Sequence, residues 1–306
     1  MIARRWLRRA GAALVVLSLA LLARELWRFG PEALRLAATP GLLAGAVAAS
    51  IVYAALLTLP AAAWSCALRE RADAPLVSGA AVLVYARCNI LKHLPGNVFH
   101  FGGRQVMARE AGWSHRATFL ASALEVAAMP LMAACAALSA LMLSGYASPL
   151  AAAVRLSHSM PPRLLAFGLL ALVIAALVAA GLARHRGLAL RALAAMAALD
   201  LAFFVGSAAL IAALAPALTA AGPAELSAIA AAYLASWILG FVVPGAPGGL
   251  GVREAAFVHL AAAVIPVPAA VALALLARLV TTLGDLWFAL AASVATLPGA
   301  TVRNGG

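Results

Sequence analysis

Leu94-Pro95-Gly96-Asn97-Val98-Phe99-His100-Phe101-Gly102-Gly103-Arg104 has a counterpart later in the chain, Val243-Pro244-Gly245-Ala246-Pro247-Gly248-Gly249-Leu250-Gly251-Val252-Arg253. In both stretches an arginine falls nine positions after the first proline. Each interrupts a hydrophobic segment with residues that break helices and expose backbone. Hydrocarbon tolerates such backbone only where protein covers it or where it lines a polar cavity. The pair therefore marks a site, with Pro95, Gly96, Gly102, Gly103, Pro244, Gly245, Gly248, Gly249 and Gly251 as its backbone and hinge positions.

Composition sets the class around that site. The 306 residues are 66% hydrophobic and 10% charged, with a mean hydropathy of +1.03. A water-facing surface needs far more polar groups, so a soluble domain is excluded. The net charge of +12 comes from arginines at the ends of apolar runs, as the positive-inside rule requires, and forms no basic stripe with aromatics. It reads as topology and lipid contact, and nucleic acid is not a partner. Cys66, Cys88 and Cys135 have no paired spacing for zinc or a redox couple, so no metal and no cofactor is expected.

Runs of roughly 20 apolar residues, enough to cross about 30 Å of hydrocarbon, recur at 8–28, 41–67, 76–94, 117–143, 164–183, 192–220, 226–243 and 268–297. The basic start before the first run, Arg4 to Arg9, resembles a signal peptide, but more membrane follows and the run is taken as a span. The first interruption adds a helix from Arg104 to Gly112, the second a half-length helix from Val252 to Val264. The expected fold is thus an all-α polytopic membrane protein of about eight transmembrane helices plus two Pro-Gly-interrupted, re-entrant segments. It forms one domain over 1–306, with candidate repeats at 1–160 and 161–306 offset by the 149 positions between Pro95 and Pro244. Secondary transporters are commonly built from such repeats. Arg4, Arg5, Arg8 and Arg9 place the N-terminus in the cytoplasm of a bacterial inner-membrane protein, and Arg184, Arg186 and Arg191 place loop 184–191 on the same side. These sides agree only if 76–116 enters and leaves on one face.

Chemistry concentrates in the first interruption. Arg87, Asn89, Lys92, His93, Asn97, His100 and Arg104 fall within 18 positions, and Lys92 is the only lysine of the chain. Positions three and four apart share a helix face, so Asn89, Lys92 and His93 form one wall, with Arg87 within reach of it. Cations there line water or meet an anion, and a lipid phosphate suits the fork of Arg and the point charge of Lys. Gly102 and Gly103 would admit backbone amides to the phosphate, with the positive helix end at Arg104 behind them. A solvated interfacial loop is the plainer alternative. Glu125, Asp200, Arg278 and Asp285 are charges inside spans, each costing ~2.5–3.5 kcal/mol at mid-helix and so in need of a partner. Arg278 and Asp285 share a face two turns apart, and Arg278 is expected to pair with Glu125, Asp200 or Glu254. Packing and transport roles are equally open for Asp200 and Asp285. Glu125 and Glu254 lean towards function, and Glu254, beside Arg253 at a helix start, suits the dipole.

The run Arg87-x4-Lys92-His93-Leu94-Pro95-Gly96-Asn97-Val98-Phe99-His100-Phe101-Gly102-Gly103-Arg104, followed by Glu125, resembles the first signature of the lysylphosphatidylglycerol synthase transmembrane region, or flippase-like domain. Pro244 to Glu254 resembles its second. The family commonly has Tyr at the position of His93. The resemblance implies a flippase-like domain that moves an anionic or aminoacylated phospholipid, or a polyprenyl-phosphate-linked lipid, between leaflets. It does not extend to the cytosolic aminoacyltransferase domain, so synthase activity is not implied.

Two other readings compete: a membrane-embedded lipid-modifying transferase, or an accessory partner of a lipid-modifying enzyme. Against an enzyme, the chain lacks a Gly-x-Ser-x-Gly elbow, a P-loop and a His-Glu-x-x-His helix, and no catalytic residue is assigned. In the carrier reading, membrane lipids are the partners. Arg87, Lys92, Arg104, Arg253 and Arg278 bind the headgroup, while Glu125, Asp200 or Asp285 serve as coupling groups or charge partners.

Overall fold

In the computed structural model the described residues are 30–68, 77–94, 99–144, 190–243 and 247–295, with isolated positions at 23–24, 27–28, 176, 179–181 and 184. Among them every regular element is helical: α1 (Pro40–Leu56), α2 (Thr58–Leu68), α3 (Gly79–Asn89), α4 (Phe99–Glu110), α5 (His115–Leu143), α6 (Leu190–Ala212), α7 (Pro223–Val242), α8 (Val252–Ala261) and α9 (Val267–Val294). Five helices are long and apolar enough to cross a membrane: Pro40–Leu68, which joins α1 and α2, then His115–Leu143, Leu190–Ala217, Pro223–Val242 and Val267–Val294. They correspond to the runs read at 41–67, 117–143, 192–220, 226–243 and 268–297. The runs at 8–28 and 164–183 lie almost wholly outside the described residues.

The run at 76–94 folds differently from the span expected of it. Helix α3 ends at Asn89 and tightens into a 3₁₀ turn over Ile90–His93. At 1.5 Å per α-helical and 2.0 Å per 3₁₀ residue the two measure about 25 Å, short of the hydrocarbon thickness. The cause lies in composition: Asn89, Lys92 and His93 load its end with groups that need partners. Helix α4 then folds back on α3, with Met107 Sδ 3.6 Å from Cys88 Sγ. After the second interruption α8 folds back on α7 in the same way.

Local signals fix the ends. Gly112, at φ 78°, closes α4, its N–H reaching Arg109 O and that of Trp113 reaching Ala108 O, the paired bonds of a Schellman stop. Ser114 then opens α5, its Oγ accepting from Ala117 N–H at 3.1 Å. Helix α2 meets α6 at the centre, α5 lies along α6 and α7, and α9 lies along α1 and α3.

Small residues let these helices approach, which matters where packing rather than water drives association. The tightest crossing is that of α9 on α1: a Cβ on Gly284 would stand 2.5 Å from Tyr53 Cδ1 and 3.0 Å from the Ser50 carbonyl oxygen. Trp287 Nε1 donates to Ser50 Oγ beside it at 3.0 Å. Gly284→Val is therefore expected to lower the melting temperature in detergent by several degrees, in line with an overpacking cost of about 1–3 kcal/mol. Gly102→Ala, whose added Cβ meets nothing within 4 Å, serves as the control and should melt like the parent.

Candidate functional site

The second interruption needs its glycines. Gly248, Gly249 and Gly251 have φ of 56°, 72° and 81°, where a Cβ is strained. Glu254 Oε2 accepts the Gly251 N–H at 2.6 Å, so this carboxylate caps α8 at the positive end of its dipole. The first interruption uses glycine otherwise. Helix α4 begins at Phe99, not Arg104, which places Gly102 and Gly103 inside the helix, away from any exposed amide cradle. Gly103 serves close packing instead, since a Cβ there would lie 2.8 Å from Leu91 Cδ1 and 3.1 Å from Cys88 Sγ.

Helix α9 holds both interruptions. From the first, Asn89 Nδ2 and Lys92 Nζ donate to Asp285 Oδ1 at 2.8 and 2.7 Å, and His93 Nε2 lies 2.9 Å from Asp285 Oδ2. Two turns earlier on the same face, Arg278 Nη1 donates to the Gly248 carbonyl at 3.1 Å and pairs with Glu254 Oε1 at 3.3 Å. The 3₁₀ turn Ile90–His93 consequently packs against the Pro247–Gly249 turn. Of the three acids open to Arg278, Glu254 is the one it meets.

Two arginines at equivalent places in the interruptions lie on tyrosines, Arg104 buried and Arg253 half-buried. The Arg104 guanidinium lies 3.8 Å from the Tyr85 ring centroid and 5.3 Å from that of Trp64. Its Nη1 donates to Glu125 Oε2, while Tyr85 Oη donates to Glu125 Oε1 at 2.8 Å. Arg253 lies 4.8 Å over Tyr233. No carboxylate lies within ion-pair distance of it among the described residues. Arg104 Nε and Arg253 Nη2 are both buried without a hydrogen-bond partner there, as is His100 Nδ1. Burial first, then the charges of Arg104 and Lys92, push the His100 imidazole down to about 3, so it is neutral at physiological pH. For Arg104 burial opposes the charge, and the Glu125 carboxylate outweighs it and holds the guanidinium above its usual range.

These groups surround one cavity of about 270 Å³, to which every helix except α2 brings a polar or charged side chain or an aromatic ring, α2 adding Pro60. Of the residues expected at the site, Asn89, Lys92, His93, His100, Arg104, Glu125, Gly248, Gly249, Arg253, Arg278 and Asp285 line it. Glu254 stands behind Arg253 and Arg278 in a small adjoining space. Arg87 is a correction. It turns away, donating from Nε and Nη2 to the carbonyls of Ala292 and Ala295 at 3.1 and 2.6 Å, so it caps the C-terminal end of α9 and does not line the cavity. Asp200 lies behind the wall rather than in it, fully buried. Pro95, Gly96, Asn97, Pro244 and Gly245 lie outside the described residues.

Sequence reasoning missed the aromatic walls. Tyr53, Tyr85, Phe101, Phe203, Trp237 and Phe241 all face the cavity, and Trp237 stacks on Phe241 with centroids 4.9 Å apart. A tyrosine in an otherwise apolar helix, as at Tyr53 and Tyr85, was the available signal, because its hydroxyl demands a polar neighbour. No family model matches the chain, and no curated protein matches it.

Proposed function

We propose that the protein is a flippase-like carrier that moves an anionic or aminoacylated phospholipid, or a polyprenyl-phosphate-linked lipid, between the leaflets of a bacterial inner membrane. One observation carries this reading: two arginines on one cavity each keep a buried N–H donor that nothing in the described protein satisfies. Buried donors are seldom left unpaired. The cavity's charges give the sign of what would pair them. Lys92, Arg104, Arg253 and Arg278 face Glu125, Asp285 and the adjoining Glu254, so one cation, Arg253, is uncompensated. A phosphodiester headgroup brings the one negative charge required, and its acyl or prenyl chains stay in the bilayer.

The order of elements supports alternating access. The helix from Pro40 to Leu68, then α3, α4 and α5, are followed by a helix from Leu190 to Ala217, then α7, α8 and α9, in the same succession of long, broken, folded-back and long. Contacts between the halves are reciprocal: α5 packs on α7, and α9 packs on α3. That succession supports a two-fold repeat whose two re-entrant hairpins share a substrate site, the arrangement of repeat-built carriers. With the 76–94 run as a re-entrant arm, the remaining seven runs as spans, a cytoplasmic N-terminus and 76–116 entering and leaving by one face complete the scheme. Membrane lipids are then the partners, and a lipid-modifying enzyme is the natural supplier of substrate.

The test is transbilayer movement of acyl-labelled fluorescent phosphatidylglycerol in proteoliposomes, read by chemical quenching from outside. The wild-type protein should expose inner-leaflet label faster than protein-free vesicles, and Arg253→Gln should lose most of that gain. Equal rates for wild-type and protein-free vesicles would remove the proposal.

A further inference from the structure

His100 and Arg104 stand four positions apart on α4, so their side chains are neighbours on one face of the helix. Both line the cavity. His100 Nδ1 and Arg104 Nε are each buried without a hydrogen-bond partner among the described residues. Neither atom calls for a charged partner. The Arg104 guanidinium is compensated by Glu125 through their direct contact, and the Nε–H that remains is a donor only. The His100 ring is neutral, because burial and the charges of Arg104 and Lys92 oppose its protonation. It lies against Phe101 with ring centroids 3.8 Å apart. With its proton on Nε2, the neutral imidazole offers Nδ1 as an acceptor.

A donor beside an acceptor, with no uncompensated charge, is the complement of a hydroxyl. One hydroxyl can accept from Arg104 Nε–H and donate to His100 Nδ1 at the same time. Other headgroup chemistries meet this corner less well. An ammonium cannot accept from Arg104, and it would stand beside the cations Arg104 and Lys92. A phosphate oxygen has no proton to give His100. An alkyl group leaves both polar atoms unpaired, and a headgroup that displaces solvent without reproducing its hydrogen bonds loses affinity. The phosphate goes instead to Arg253, which comes from the other interruption. That arginine keeps Nη2 unpartnered and has no carboxylate within ion-pair distance among the described residues.

We infer, on the basis of the carrier reading, that the substrate is a phosphodiester lipid with a neutral, hydroxylated headgroup, whose phosphate rests on Arg253 and whose hydroxyl bridges Arg104 Nε and His100 Nδ1. Glycerol and a sugar share this chemistry. His100 is the residue that sets the preference, since replacing its ring nitrogen removes the acceptor and leaves the charges of the cavity unchanged.

The experiment is competitive native mass spectrometry of the purified full-length protein, with phosphatidylglycerol and phosphatidylpropanol of identical acyl chains in equal amounts. These lipids have the same charge and the same headgroup carbon chain, and differ only in the headgroup hydroxyls. The wild type should hold phosphatidylglycerol over phosphatidylpropanol by about tenfold or more, since a site built to bond a hydroxyl rejects the analogue that lacks it. His100→Leu should bring the two lipids level. His100→Asn, whose amide oxygen can stand where Nδ1 stands, should restore part of the preference. A third arm with polyprenyl phosphomannose separates the sources: displacement of phosphatidylglycerol assigns the corner to a sugar, and its failure assigns it to glycerol. Equal retention of phosphatidylglycerol and phosphatidylpropanol by the wild type, or an undiminished preference in His100→Leu, overturns the hydroxyl seat and leaves the carrier reading standing. If the wild type holds neither lipid above phosphatidylcholine, the carrier reading falls and the inference with it. The wild-type ratio decides the headgroup class even where a variant does not fold.

Discussion

Asp285→Ala is expected to lower the stability of the detergent-solubilised protein by about 3–5 kcal/mol, the cost of removing one partner from a buried ion pair. The size follows from how much rests on one carboxylate. Lys92, Asn89 and His93 all meet it within 2.9 Å. Without it the amide of Asn89, 4% exposed, and the only lysine of the chain lose their acceptor together. The 3₁₀ turn that carries them would come away from α9 and from the Pro247–Gly249 turn, opening the cavity floor. Thermal unfolding followed by thiol labelling of the buried Cys66 and Cys88 measures the loss. Pairing Asp285→Leu with Lys92→Leu should recover part of it, because removing both members of a buried pair costs less than removing one. A melting temperature unchanged in Asp285→Ala would show that this convergence does not hold the first interruption in place.

Arg104→Ala should have a comparable effect on stability and a larger one on transport. It strands Glu125 in the interior, again at about 3–5 kcal/mol, and it also loses the stack on Tyr85, worth about 2 kcal/mol when desolvated. Arg104→Lys is expected to rescue little, since an ammonium cannot both lie flat on the Tyr85 ring and reach Glu125. Arg104→Met combined with Glu125→Gln removes both charges and should recover much of the stability while leaving lipid translocation at the protein-free rate. That split separates the packing role of the pair from its role in transport. Translocation near the wild-type rate in the double variant would take Arg104 out of the carrier mechanism.

Much of the site was legible because its chemistry is conspicuous in an apolar chain. Asn89, Lys92 and His93 were expected on one face, and they converge on Asp285. Arg278 and Asp285 were expected on one face too, and each holds a different interruption. What could not be read was direction. Arg87 shares the segment with these residues, yet it points to the end of α9, because the carbonyls left unsatisfied at a helix end also accept from a guanidinium. Gly102 and Gly103 look like a loop beside Phe99 and Phe101. Both lie inside α4, where Gly103 packs on Cys88 and Leu91, a contact between segments that local propensity does not encode. The shortness of α3 was hidden likewise, because hydropathy alone cannot distinguish a span from a hairpin arm of similar composition.

The central claim is that the two interruptions meet around a seat for one anionic lipid headgroup. Native mass spectrometry of the protein released from mild detergent tests it most directly, with phosphatidylglycerol and phosphatidylcholine supplied in equal amounts. The prediction is one retained phosphatidylglycerol per chain in the wild type, lost in Arg253→Gln and unaffected in Arg87→Gln. Equal retention of the two lipids, or phosphatidylglycerol held as well by Arg253→Gln as by the wild type, would contradict it.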